Sequence, residues 1–238
     1  MSHRTRRRHA LHAASALGAL MPALALAAPT GDYRLVFVTN DLTSIASTGI
    51  GTYNSFIGTE AGLAGSLLPT SSWAVLGSTA TVNAVANANA LCSGNSACIS
   101  APLYEVLQNP TTLAVSDVLV ASSVASMFAG TISSMINTTQ FGIGVGGFIG
   151  TGTNDNGTTA IGNELGASTV TTGSTVPPGG PQSEVGMFNS TLTGNTLSKS
   201  VYGISGLLQG AAVPEPASAA LLGVGAGLML VMRRRKAA

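Results

Sequence analysis

The residues that could do chemistry are few, and they are unevenly placed. All three histidines, His3, His9 and His12, fall in the first dozen of 238 residues. Four of the ten basic residues (Arg4, Arg6, Arg7, Arg8) lie in the first eight positions. Four more (Arg233, Arg234, Arg235, Lys236) lie in the last six, so only Arg34 and Lys199 stand between. Eight of the nine acids fall in residues 28–212, giving that segment a net charge of −6. Without an imidazole there, a Ser-His-Asp triad or Cys-His pair lacks its proton carrier, and a His-bearing zinc site lacks its ligand. One lysine and one arginine do not make a phosphate clamp or a nucleic-acid surface. No catalytic residue, metal site or cofactor is assigned, and no nucleic-acid partner is expected.

Chemistry without histidine remains open to carboxylates. Asp155 with Glu164, or Asp32 with Asp41, could in principle form the acid pair of a glycoside hydrolase. Eight scattered acids place some pairs close in sequence without catalysis, and acids on an exported surface ordinarily serve solubility. Asn154, Asp155, Asn156 and Glu164 offer hard oxygen ligands that suit calcium. The same run, Asn154-Asp155-Asn156-Gly157, reads equally well as a turn. Cys92 and Cys98 are the only cysteines and, in an oxidising exterior, read as one local disulfide. Asn137, Asn156 and Asn189 each open a formal glycosylation sequon.

The two ends read as addresses. Arg4 and Arg6 to Arg8 precede a mostly apolar run over residues 10–26, and Ala25-Leu26-Ala27 supplies the small residues of a cleavage site. This predicts a signal peptide over residues 1–27, cut between Ala27 and Ala28, which engages the secretion machinery. At the other end, Pro214-Glu215-Pro216 precedes sixteen uncharged residues, 217–232, and then Arg233, Arg234, Arg235 and Lys236. As a transmembrane helix that run is about 24 Å long, short of the ~30 Å hydrocarbon core. The basic cluster should stay cytoplasmic, which places the acidic segment outside.

This order closely resembles the PEP-CTERM protein-sorting signal of Gram-negative bacteria, over residues 213–238. The resemblance implies recognition of Pro214, Glu215 and Pro216 by a membrane-embedded exosortase. Arg233, Arg234, Arg235 and Lys236 would then hold the chain at the membrane until it passes to the cell surface or the exterior.

The segment between must fold as the exported domain, residues 28–212. Tyr33-Arg34-Leu35-Val36-Phe37-Val38 reads as a buried strand. Ile50, Tyr53, Phe56, Ile57, Ala61, Ala64, Leu67 and Leu68 recur at helical spacing, with Ser47 or Thr48 as cap and Pro69 beyond. Trp73-Ala74-Val75-Leu76 and residues 103–107 read as strands, and residues 111–128 as a second helix, with strand left open by their Ser and Val content. Phe141, Ile143 and Val145 alternate with glycines, as in a bulged strand. Residues 174–181 read as a loop, and residues 203–212 as a tether to the sorting signal. The fold class expected is α+β: one domain with a strand-helix unit and glycine-rich β structure, with a mostly-β sandwich as the alternative.

Phe37-Val38-Thr39, Trp73, Gly77-Ser78-Thr79-Ala80, Thr151-Gly152-Thr153 and Leu165-Gly166 look similar to a domain that recurs among exported PEP-CTERM proteins. That domain in turn resembles C-type-lectin or endostatin-like folds. The second tryptophan of its pattern is absent near Phe148 and residue 190. The function expected is a non-enzymatic, structural or adhesive protein of the cell surface or extracellular polysaccharide matrix. A carbohydrate-binding module is the alternative, and a carboxylate-based glycosidase the third reading.

Overall fold

The computed structural model describes Pro29 and residues 31–106, 118–175 and 187–210. Strand β1, Asp32–Val38, is buried on both faces from Tyr33 onward, which its unbroken apolar and β-branched run permits. It is central in a mixed sheet of order β3-β10-β1-β4-β5. The neighbours are β3 (Trp73–Val75), β4 (Leu103–Glu105), β5 (Leu119–Ala121) and β10 (Tyr202–Ser205), with β11 (Leu208–Gln209) continuing beside β1. Only β1 and β4 run parallel; the other pairs are antiparallel.

Side chains of β1 alternate between two cores. Tyr33, Leu35 and Phe37 meet Tyr53, Ile57, Ala61 and Ala64 on or just beyond helix α1, Ile50–Leu63. Val36 and Val38 meet Ala84 and Ala88 of α2 (Ala84–Ala90) and Val124, Met127 and Phe128 of α4 (Val124–Phe128). The short helix α3, Ser96–Ile99, precedes β4. A second sheet, of order β6-β7-β8, is built from Phe148–Gly150, Thr169–Ser174 and Thr191–Gly194. The two-residue strands β2 (Thr43–Ser44) and β9 (Ser198–Lys199) pair with each other.

Mixed sheets with few helices give the α+β character expected, and α1 on one sheet face replaces the second layer of a sandwich. Several local expectations are corrected. Residues 203–210 are not a tether: β10 lies between β1 and β3, and β11 pairs with β1. Gly203 permits this, since a Cβ there would lie 2.8 Å from the Phe37 ring. Within 111–128, the described part is strand β5, then a turn, then α4, whose start is closed by a Ser123–Ser126 capping box. Helix α1 starts after Gly49 with no side-chain cap, because the Ser47 hydroxyl accepts from the Gly49 N–H instead. Phe141, Ile143 and Val145 do not form a strand. Phe141 lies in a tight turn closed by the Gly142 N–H to the Thr139 carbonyl, and across it the Thr139 N–H donates to the Ile143 carbonyl and that of Val145 to the Asn137 carbonyl. Strand β6 begins only at Phe148.

Candidate functional site

Three of the segments singled out in sequence, around Ser78, Thr151–Thr153 and Leu165, meet in one buried knot. The Ser78 N–H donates to the Thr151 carbonyl, and the Leu165 N–H to the Ser78 carbonyl, at 2.8 and 2.9 Å. The Ser78 and Thr153 hydroxyls lie 3.0 Å apart, and Ser78 Oγ also accepts from the Ala84 N–H that opens α2. Gly152 has φ +59°, and a Cβ there would lie 2.3 Å from the Leu165 nitrogen and 2.6 Å from the Ser78 oxygen. Phe37 and Trp73 touch as rings with centroids 5.2 Å apart. The Ser78 and Thr153 hydroxyls therefore splice three loops together, bonding each other and the backbone at Ala84 and Thr151, while Thr79 Oγ1 is buried without a hydrogen bond.

The buried charges serve the sheet in the same way. Between Val36↔Ile204 and Tyr33↔Leu208 the register slips by one residue, the signature of a β-bulge opposite Arg34 and Leu35. Ser205 repairs the ladder: its Oγ accepts from the Leu35 N–H at 2.9 Å, and its carbonyl accepts from Arg34 Nε at 2.7 Å. Another Arg34 nitrogen, Nη2, donates to the Ala88 carbonyl at 2.8 Å, while Nη1 is buried without a hydrogen bond. Burial pushes the guanidinium down to about 10.

Glu105 is buried on β4, where Oε1 accepts from the N–H groups of Asn137 and Thr138. Burial raises its carboxyl above the usual range, and those donors oppose the shift. Glu60 is buried on α1 and accepts from the Asp41 N–H and Gln140 Nε2, which fixes the chain leaving β1. Asn54 and Asn87 exchange amide hydrogen bonds, and they also bind the Val75 N–H and carbonyl. The pair thus satisfies the outer edge of β3, which a further strand would otherwise do.

An open cleft lies against the second sheet. It measures about 740 Å³ and is lined by Asn154, Thr158, Thr159, Ile161, Asn163 and Leu192, among others. Asn154 is held by donating from Nδ2 to Thr158 Oγ1 and the Thr159 carbonyl, which leaves Oδ1 as the acceptor. Asn163 Oδ1 accepts from Thr169 Oγ1 at 2.7 Å, which leaves its Nδ2 as the donor. Asn189 and Thr171 complete the polar wall. Ile161, 91% exposed, and Leu192, 56% exposed, supply apolar surface beside it. Sequence reasoning missed this cleft because its walls come from two loops and two strands whose polar residues have no fixed spacing.

The remaining candidates are placed as follows. Cys92 and Cys98 are joined in a disulfide with Cα atoms 5.4 Å apart, linking the end of α2 to α3. Asp32 opens β1 and Asp41 follows its far end, so roughly 20 Å of strand separates them. That exceeds the spacing of about 5–9.5 Å a glycosidase pair requires. Asp155 lies in the turn closed by the Gly157 N–H to the Asn154 carbonyl, and neither it nor Glu164 lines the cleft. Asn156 Oδ1 is engaged by the Thr158 N–H and hydroxyl, as a turn requires. Among the described residues no group of three or more His, Cys, Asp or Glu side chains is placed to hold a metal ion. Asn156 and Asn189 are exposed, whereas Thr138 and Thr139 of the third sequon are buried.

Residues 1–27, the cleavage position Ala27/Ala28 and the tail from Pro214 to Lys236 lie outside the described residues. Among the described residues no helix is long and apolar enough to cross a membrane. The last described strand, β11, ends at Gln209, directly before the tail. Residues 212–236 match the family model for the PEP-CTERM protein-sorting motif. The chain carries a PEP-CTERM sorting signal. This makes it an exported protein with exosortase as a partner, reaching the cell surface or exterior through a membrane-anchored intermediate. No curated protein matches the chain.

Proposed function

We propose that this exported chain is a non-enzymatic, adhesive component of the cell surface or of the extracellular polysaccharide matrix. The supporting observation is where its reactive groups are spent. Arg34, Glu60, Glu105, Ser78 and Thr153 all bind partners inside the fold. The open cleft, by contrast, is walled by neutral amides and hydroxyls with two apolar flanks. Such a surface makes many weak, exchangeable hydrogen bonds to hydroxyl-rich polymer rather than a proton-transfer constellation. The signal peptide over residues 1–27 would start export. Pro214, Glu215 and Pro216 would bring the chain to exosortase, with Arg233, Arg234, Arg235 and Lys236 as the hold-back cluster.

The test compares cells making the full chain, cells lacking it, and cells in which Pro214, Glu215 and Pro216 are all alanine. Fractionation should place the native protein at the surface or in the medium, and the triple variant in the membrane fraction. Matrix cohesion, measured as resistance of the cell layer to shear, should fall in the other two strains. Equal cohesion in all three would remove the adhesive role.

A further inference from the structure

We infer that the cleft between residues 154–163 and strand β8 binds a neutral polysaccharide and rejects uronate-bearing or sulfated ones. The inference rests on the adhesive reading above and names its ligand class and place. A pyranose presents hydroxyls that both donate and accept. The cleft answers with an acceptor fixed at Asn154 Oδ1, donors at Asn163 Nδ2, and the amide of Asn189. Because Asn154 and Asn163 are already oriented by their own threonine partners, ordering them on binding costs little. The C–H face of a sugar ring can lie on Ile161 and Leu192, whose side chains are exposed beside the cleft. The volume of about 740 Å³ falls in the ordinary range of ligand pockets, about 300–1,000 Å³.

Charge sets the selectivity. Among the described residues no lysine or arginine lines the cleft. The two basic residues of segment 28–212 are Arg34, buried under Ser205 and Ala88, and Lys199, in the β2–β9 pair. A carboxylated or sulfated polymer therefore meets a segment of net −6 with no countercharge at the site.

The experiment uses the full chain in detergent, carrying Arg233→Gln, Arg234→Gln, Arg235→Gln and Lys236→Gln so that the basic tail does not itself bind polyanion, and affinity electrophoresis through gels containing dextran, galactomannan, neutral polysaccharide extracted from the producing cells, or polygalacturonate. Retardation is expected in at least one neutral gel and not in polygalacturonate. Asn189→Ala and Leu192→Asp, both at exposed positions, should each weaken the retarding association roughly five- to tenfold with an unchanged circular dichroism spectrum. Retardation by polygalacturonate equal to that by the neutral glycans overturns the inference. So does its absence from every neutral gel, or full retention of binding by both variants. The two readings fail separately. Cohesion that needs the protein although no glycan is bound sinks the cleft and leaves the adhesive role. Glycan binding lost in Asn189→Ala with cohesion intact sinks the adhesive role and leaves the cleft.

Discussion

Glu105 shows how the fold uses a charge that the sequence displays without explaining. It sits buried on β4 with its Oε1 serving two N–H groups more than thirty residues away. No local pattern announces such a partner, so the sequence reading could count Glu105 only as one acid among eight. Arg34 was equally opaque, since its carbonyl partners lie 54 and 171 positions away. A carboxyl raised by burial contributes stability that is full below its unfolded value near 4.5 and is lost as pH rises through the raised folded value. Between pH 4 and pH 8 the melting temperature of the native protein should therefore decline relative to that of Glu105→Gln, which keeps the acceptor without the charge. Parallel melting profiles would refute this. Gly152 gives a sharper case. Its left-handed backbone and the adjacent Leu165 and Ser78 backbone atoms leave no room for a methyl group. Gly152→Ala should cost about 3–5 kcal/mol in urea unfolding, or abolish folding. A cost under about 1 kcal/mol would mean the three-loop knot yields easily.

Elements were legible in the sequence in proportion to how strongly their own pattern dictated them. β1 and α1 were readable because six consecutive core residues and a helical stripe leave little choice. β10 was not, because Tyr202-Gly203-Ile204-Ser205 is short, contains a glycine, and is buried on both faces with no alternation to read. Its identity as a strand comes from the gap between β1 and β3 that it alone fills. The alternating Phe141, Ile143 and Val145 failed in the opposite sense: period two was present, but only isolated bridging supports that stretch. The glycines and threonines of the cleft region were visible as β structure without a register, because that register is fixed by the loops of the buried knot. A direct check follows from β10 and β11. A chain ending at residue 212 should melt within about 2 °C of the full chain, whereas one ending at residue 200 should not fold, as judged by loss of near-ultraviolet dichroism. Cooperative melting of the shorter chain would show that β10 is dispensable.

At the scale of the whole molecule, the sequence announced destination more clearly than architecture. The sorting motif is compact and ordered along the chain, so it is readable in one pass. The cleft exists only once distant loops meet. The sorting tail also enters the fold at a telling place. Gln209 pairs with Asp32 at the start of β1, and the Gly210 N–H donates to the Gly31 carbonyl. The two ends of the described domain therefore leave from the same end of one antiparallel ladder. Pulled apart at residues 31 and 210, that ladder is loaded one rung at a time and should open before the rest of the sheet. Load entering at the cleft and leaving through residue 210 does not address the rungs singly, because β10 is clamped by β1 on one side and β3 on the other. Single-molecule pulling with handles at residues 161 and 210 should thus show a higher rupture force than handles at 31 and 210; equal forces would refute it. On the proposed adhesive role, a chain loaded at the cleft and held through its tail is not pulled by its two neighbouring ends, so the placement of β11 makes one-sided attachment the mechanically stronger one.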